Sequence, residues 1–569
     1  MNNIVIISGG SGNDALVKGL KKIYKDVNVS VITNAYDNGK STGVCRAVTD
    51  TLGVSDIRKN HTRMYKAMYD DVDERLLEFY DKRYSFEKNN EVKEICDLLD
   101  KWNLSNLKQY CINFFKNKTA HDYKYEDFSV ANIIYAQMYK ELGYEYTNKY
   151  FCDLLGLDDF VILNSFDNVF IQAVTSSGRL LTDEGDIVEY KNADDPIIKL
   201  NYVGDKANCK FGLNSKAIDA VLNADLIIIS TGTFWSSIYP TIEYKDFYKY
   251  INKSTAKKIW AMDNNEDKDA YGVSSNDFIR IMEDCGLNLK DFTILENLDA
   301  VESLRLPNPN YKIVYESMGN NNGKHDGNLY AKAILKIYYN LINKKFDKIV
   351  SDFDDTIWAR DYDNSEKLYN YSKSNIELLN SFKEKACIIS GNTIDSIREK
   401  LYRVFGTDLN GLDLDIWADA NSTLYRNNNK VDFIESANLD IDLPIILNKF
   451  ENKFNIKFDK ICAANYKIKN LSELERDLLV ANLNNVFDAI CINALAIKAG
   501  KTTVDIVSRY NNKSIVITNT NLNNCSTLYI GDEIDLGNDK DIARECTQSI
   551  CTSGVEETNA ILNLLKDSM

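Results

Sequence analysis

The sequence predicts an α/β protein built as two successive parallel-sheet units. Three observations carry this. Short β-branched runs alternate with longer amphipathic stretches along the chain. A strand–turn–helix pattern opens the chain, and another opens near residue 346 after a closing helix. At 569 residues the chain also exceeds what one hydrophobic core organises.

In the first unit, strands are expected at Asn3–Ser8, Val27–Thr33, Asp159–Leu163, Leu226–Ser230 and Lys258–Ala261. From about 59 to 155 the pattern turns helical, as in DERLLEFYDKRY and NIIYAQMYKELG, and reads as a helical insertion. Within it, NFFKNKTAHDYKYEDF reads as an amphipathic cover over the core, and His61 as a surface helix residue. Ser176-Ser177-Gly178 marks a hairpin turn. The polar segment MGNNNGKHDGN and the helix LYAKAILKIYYNLINKK then close a domain of residues 1–344. The second domain, 345–569, begins with a strand at Phe346–Ser351 and continues with one at Ala386–Ile389. A less regular middle, about 411–494, reads as a cap, and the strand-loop segments SIVIT and STLYIGDE follow it.

Composition excludes several classes. Hydrophobic residues are 44% and charged residues 27%, ordinary for a globular chain. Lys plus Arg number 68 against 84 Asp plus Glu, a formal charge of −16 without a basic block. Nucleic acid and anionic membranes are therefore not expected partners. The 12 cysteines contain no C-x-x-C pair and the 3 histidines are far apart, so a structural zinc site is not expected. No apolar run approaches the roughly 18 residues of a membrane span. The N-terminus lacks a signal-peptide pattern, and reduced thiols fit a cytoplasmic location.

Chemistry is densest in the second half. In KIVSDFDDTIW a hydrophobic strand delivers Asp352, and Asp354 follows two residues on. One carboxylate placed to attack phosphorus and a second turned to handle the leaving-group proton need this spacing. Their mutual repulsion calls for a bound Mg²⁺. Ser390 in CIISGNT ends another strand, where a hydroxyl can hold a phosphoryl oxygen. Lys501 in IKAGKTTVDIV can neutralise the transferring group, with Lys498 as rival. Asp532 in LYIGDEIDLGND can complete the metal shell, with Asp535 and Asp539 in the same loop.

The order Asp352/Asp354, Ser390, Lys501, Asp532 resembles the haloacid dehalogenase superfamily over roughly Phe346–Met569. DIWADANSTLYRNNNKV is similar to the approach to the large α/β cap of its Cof-type and sugar-phosphatase branch. The resemblance implies a Rossmannoid core and a phosphomonoesterase working through an aspartyl-phosphate. It makes Asp352 the nucleophile, Asp354 the general acid/base, and Ser390 and Lys501 phosphate ligands. The Mg²⁺ group would be Asp352, Asp354, Asp532 and Asp539.

In the first half, IVIISGGSGNDALVKGL places Gly9, Gly10, Ser11 and Gly12 between strand and helix, where backbone amides can cradle a phosphate. The string lacks a P-loop ending, and no acidic residue closes the second strand as a dinucleotide site requires. Asp37, Lys40 and Ser41 follow the second strand, Asp56 and Arg58 come with GVSDIRKN, and Thr231-Gly232-Thr233 ends a later strand. These strings, with DFSVANII and its Asn132 and with GKHDGN, resemble in order the 2-phospho-L-lactate transferases (CofD) and YvcK-type gluconeogenesis factors. Tyr36-Asp37 stands where that family has paired acids, and Phe128 where it has histidine.

The resemblance implies a Rossmann-like domain with Gly9–Gly12, Asp37, Lys40, Ser41 and Arg58 at the phosphate end and Asn132 and Thr231–Thr233 near the nucleotide. Asp263, Asn264 and Asn265 are further neighbours. The whole chain then reads as a bifunctional enzyme, a nucleotide-diphosphate-dependent phospho-group transferase joined to a Mg²⁺-dependent phosphatase. The alternative is a UDP-sugar-binding regulator with an effector or structural second domain. Expected partners are a small phosphate ester, a nucleotide diphosphate or nucleotide sugar, and, by family analogy, a second copy of the chain.

Overall fold

The computed structural model describes residues 1–9, 14–158, 160–204, 211–263, 267, 269–300, 310–319, 324–407, 409, 411–426, 429–434, 438–462, 464–499, 502–509, 513–518, 521–534 and 539–566. The chain divides into two compact units, Met1–Ile342 and Asn343–Met569. No helix among the described residues is long and apolar enough to cross a membrane.

Unit 1 is organised by a seven-stranded sheet in the order Lys312–Glu316, Phe292–Asn297, Lys257–Ala261, Leu226–Ile229, Asn3–Ile7, Asn28–Thr33, Val161–Leu163. Every pairing is parallel. Parallel strands are covered on both faces, which is why NIVII and LIII read as unbroken apolar runs. The chain starts at Asn3–Ile7, builds outward through Asn28–Thr33 and Val161–Leu163, then returns to place Leu226–Ile229 on the other side. That reversal opens a crevice beyond the carboxyl ends of Asn3–Ile7 and Leu226–Ile229, where ligands bind open α/β sheets.

The helical stretch forms as expected, with helices at Ser55–Met68, Glu74–Asp81, Glu91–Lys101, Lys108–Phe115, Val130–Leu142 and Tyr144–Leu154. The aromatic-rich run supplies core: Phe114, Phe115, Tyr125 and Phe128 are buried against one another. Gly178, at φ +86°, turns the hairpin between Phe170–Thr175 and Leu180–Leu181.

His61 departs from expectation. It is fully buried, with Nδ1 2.6 Å from the Tyr135 hydroxyl and Nε2 2.8 Å from Asn148 Oδ1. The helix that carries it is covered by the insertion, so no face near His61 remains for solvent. Burial lowers its pKa to about 4, and burial does the same to His325. A folded-state pKa below the unfolded value means that the unfolded chain binds more protons. The stability contributed is therefore full above about pH 6.5 and is lost as pH falls toward 4. At pH 5 each histidine should cost about 2 kcal/mol. Thermal melts from pH 7.5 to 5 should show unit 1 losing stability, and His61→Gln should flatten part of that slope. An unchanged melting temperature down to pH 5 contradicts the assignment.

Unit 2 has a seven-stranded sheet in the order Asn429–Phe433, Thr423–Arg426, Asp415–Ala418, Ala386–Ile389, Lys348–Asp352, Thr527–Gly531, Gln548–Cys551. The last five are mutually parallel, and the first two join as an antiparallel extension. Residues 411–434, expected in the cap, thus belong largely to the core sheet. The DIWA run is buried along its whole length beside Ala386–Ile389, and Arg426 and Lys348 pair with Asp415. A separate antiparallel sheet, Asp459–Cys462, Asn465–Ile468, Thr503–Val507, Leu495–Ala499, forms the cap with helices Leu443–Phe454 and Glu473–Ala489. The cap therefore runs from about 443 to 507 and not from 411 to 494. SIVIT is a short helix, Ile515–Thr518, and not a strand. An apolar run of four or five residues does not distinguish the two, and here burial of Ile515, Val516 and Ile517 in the core decides.

Candidate functional site

The unit 2 site assembles at the carboxyl ends of three adjacent strands. Asp352 ends Lys348–Asp352 and is in register with Ile389, so Ser390 follows immediately beside it. Ser351 is in register with Ile530, which places Gly531 and Asp532 on the other side. Asp352, Asp532 and Asp539 each offer a carboxylate oxygen, and these oxygens lie within 4.8 Å of one another.

Lys513 holds two of the three acids. Its buried Nζ lies 2.6 Å from Asp352 Oδ1 and 2.5 Å from Asp539 Oδ1. Burial pushes the Asp352 carboxyl up to about 7, with Lys513 opposing and Asp539 adding to the rise. Burial would lower the Lys513 ammonium, but Asp352 and Asp539 outweigh it and hold it above its usual value. Asp532 is raised by burial and then by Asp539. Three carboxyl groups against one ammonium leave acid in excess, up to two negative charges, with Asp352 and Asp539 buried and Asp532 half-buried. Hard oxygen donors with that charge suit a divalent cation such as Mg²⁺.

Asp354 does not join this group, contrary to the expectation that it serves the metal as well. Its Oδ2 accepts from Asn392 Nδ2 at 2.6 Å and its Oδ1 from Lys400 Nζ at 3.1 Å. Asn392 and Lys400 hold it away from the three acids, and the chain turns sharply just after it. Asp355 takes a left-handed φ of +54°, and the amides of Ile357 and Trp358 both bond the Phe353 carbonyl. Ser390 Oγ accepts from the Asn392 amide at 3.1 Å, which leaves its hydroxyl hydrogen to donate.

Lys501 and Asp535 lie outside the described residues. The rival Lys498 pairs with Asp477 at 2.7 Å on the cap. The sequence had no signal for Lys513, which stands in an Asn-rich stretch beyond the last cap strand and far along the chain from Asp352.

Gly531 is shaped by this packing. A Cβ there would meet Asp539 Oδ2 at 2.2 Å and the Tyr529 ring at 2.8 Å. Gly531→Ala should therefore displace Asp539 and weaken divalent-cation affinity by roughly tenfold. Titrating Mg²⁺ against the melting temperature checks this, and an unchanged half-point would refute it.

In unit 1 the expected residues separate into two sets. Arg58, Asn132 and Ser41 are buried and bonded to one another. Arg58 Nε donates to Asn132 Oδ1 at 2.9 Å, and Asn132 Nδ2 to Ser41 Oγ at 3.0 Å. Arg58 also donates to the Tyr80 carbonyl. These groups form an internal network joining the sheet to the helical insertion, rather than facing a phosphate. Lys40 is exposed, 3.9 Å from Glu189. Gly10, Ser11, Gly12, Asn264 and Asn265 lie outside the described residues.

At the crevice, a Cβ on Gly9 would sit 3.7 Å from Asp56 Oδ2 and one on Gly232 3.8 Å from the Gly9 amide nitrogen, and Asp37, Asp56 and Glu184 lie near enough to repel one another. Gly9 packs so closely on Ser237 that a Cβ would sit 2.4 Å from its Oγ. Burial raises Asp37, with Asp56 adding and Lys59 opposing. Burial with Asp37 and Asp56 pushes Glu184, which the sequence did not single out, to about 9. Thr233 Oγ1 bonds Ser236 and Ser237. The amides beyond it are filled from within: Asp267 accepts from Phe234, and Asp269 from Trp235 and Ser236. Tyr36, where the resemblance expects an acid, is fully buried with its hydroxyl on Asn164.

Comparison with known proteins finds the following similarities. The gluconeogenesis factor of Halalkalibacterium halodurans is 22% identical over 293 residues, covering 51% of this chain and 76% of that protein. A Bacillus halodurans crystal structure aligns at TM-score 0.45 with 18% identity, covering 59% of this chain and 99% of that one. A haloacid dehalogenase-like hydrolase from Bacteroides thetaiotaomicron aligns at TM-score 0.29 with 12% identity, covering 40% of this chain and all of that one. The family described as 2-phospho-L-lactate transferase CofD matches residues 4–340. With more than half its length matched, the chain belongs to the CofD family.

Proposed function

We propose that unit 2 is a divalent-cation-dependent phosphomonoesterase acting on a small phosphate ester. The convergence of Asp352, Lys513, Asp532 and Asp539 at the ends of neighbouring strands carries this reading. An Asp352 oxygen attacks phosphorus, the ester P–O bond breaks, and the departing oxygen takes a proton from Asp354, which enters the cycle as the carboxylic acid. Water then attacks the aspartyl-phosphate, its proton passes to Asp354, and inorganic phosphate leaves with Asp352 restored. Lys513 holds Asp352 in one orientation and offsets the charge of the transferring group, and Ser390 donates to a phosphoryl oxygen. For the proton transfers Asp354 must release Asn392 or Lys400. A Mg²⁺ held by Asp352, Asp532 and Asp539 would supply electrophilic stabilisation of the phosphoryl oxygens.

The test is phosphate release from p-nitrophenyl phosphate and a panel of metabolite esters, with Mg²⁺ and with excess chelator. Mg²⁺-dependent release is expected, and no release from any ester would sink the reading.

For unit 1 we propose binding of a nucleotide diphosphate or nucleotide sugar in the crevice beside Gly9 and Asp37. The transferase reading needs a cation free to meet the moving phospho group. Arg58 is committed to Asn132 and the Tyr80 carbonyl, which favours binding without turnover as the second reading. Thermal shift with nucleotides and nucleotide sugars separates ligands, and monophosphate release separates transferase from sensor.

A further inference from the structure

Asp354 is held from two sides by residues of one segment. Asn392 Nδ2 donates to its Oδ2 at 2.6 Å and Lys400 Nζ to its Oδ1 at 3.1 Å. Asn392 stands in the loop after Ala386–Ile389, and Lys400 in the helix Ile394–Phe405 into which that loop leads. Both holders are therefore only as well placed as the loop.

A second turn clamps it. The hairpin between Asp415–Ala418 and Thr423–Arg426 passes through Asp419, Ala420 and Asn421, at left-handed φ values of 53°, 60° and 60°. Three such residues in succession, none of them glycine, persist only where the surrounding bonds demand that conformation. Here the bonds run out of the hairpin and into the loop. The Asp419 amide donates to the Asn392 carbonyl at 2.7 Å, and the Ala420 amide to the Gly391 carbonyl at 3.2 Å. Asp419 Oδ1 accepts from the Ile394 amide at 3.0 Å, at the start of the helix that carries Lys400. Its Oδ2 accepts from the Tyr425 hydroxyl at 2.5 Å, which fixes the side chain.

We propose that Asp419 is a positioning residue for the proton transfer: through Asn392 it fixes the carboxyl plane of Asp354 so that one oxygen faces the leaving group. The proposal rests on the hydrolase reading of unit 2. An amide N–H can stay on the carbonyl oxygen of a carboxylic acid, so the Asn392 bond survives both halves of the cycle. The Lys400 ion pair needs the carboxylate. It is the bond given up while Asp354 carries its proton, and regained once the departing oxygen has taken that proton.

The experiment compares kcat/KM for p-nitrophenyl phosphate and phenyl phosphate, using the full chain with Mg²⁺. The two esters are nearly the same shape, but phenolate departs less readily than p-nitrophenolate and depends more on a donated proton. Because kcat/KM ends at formation of the aspartyl-phosphate, it reads the acid step without the later attack of water. Asp419→Ala and Asn392→Ala should lower it by ~10-fold or more for phenyl phosphate and by less than ~3-fold for p-nitrophenyl phosphate. Asp419→Asn keeps an acceptor at Oδ1 and tolerates a left-handed φ, so it should recover much of the phenyl phosphate rate. Asn392→Ala leaves the turn intact, so the comparison stands even where Asp419→Ala does not fold. If both esters fall alike in the folded variants, if neither falls, or if the wild type cleaves p-nitrophenyl phosphate alone, the positioning role is wrong while the hydrolase stands. If the wild type cleaves neither ester, both fall.

Discussion

Asp352→Asn is expected to fold and to lose phosphate release by on the order of 10⁴-fold or more. The amide is isosteric but a poor nucleophile, so the covalent step is removed without opening a cavity. It also relieves one of the two buried carboxylates that hold Lys513. Stability should therefore change little, while turnover collapses. Steady-state phosphate release with matched melting curves reads both. Hydrolysis within tenfold of the wild type would place the nucleophile elsewhere.

Lys513→Met should act on stability and chemistry together. The side chain is similar in length, so packing is largely kept, but Asp352 and Asp539 lose their shared buried cation. Breaking a buried ion pair by removing one partner costs about 3–5 kcal/mol. The pocket then carries three carboxylates, and the Asp352 carboxyl, already raised to about 7 against the pull of Lys513, rises further. Added Mg²⁺ should recover more melting temperature in this variant than in the wild type, because it replaces lost positive charge. Turnover should stay low even in saturating Mg²⁺. Differential scanning fluorimetry with and without the cation checks this. A variant that melts like the wild type would mean that Lys513 is incidental to the site.

Asp352 and Asp532 were legible in the sequence because one ends an apolar strand and the other directly follows one, and a parallel strand delivers the residue at its end to one edge of the sheet. Asp352, Ser390 and Asp532 needed nothing else. The Thr231–Thr233 turn was readable for the same reason, since it closely follows the strand Leu226–Ile229. Asp354 was found by spacing, but its direction was not, because its partners Asn392 and Lys400 come from a segment remote in sequence.

Other features depend on which distant segments meet. Lys513 reaches Asp352 across 161 residues, and no local pattern announces it. Arg58 looked like a phosphate ligand by position, yet the helical insertion claims it with Asn132 and the Tyr80 carbonyl. His61 looked like a surface residue until that same insertion covered it.

Sequence alone determined the two α/β units, their order, and the carboxylates at the strand ends, because those follow from hydrophobic period and short-range spacing. Tertiary structure decided which lysine faces those acids, where the core sheet gives way to the cap, and which polar groups are spent internally. Each of these turns on burial and charge pairing between residues remote in sequence, and periodicity carries no information about such meetings.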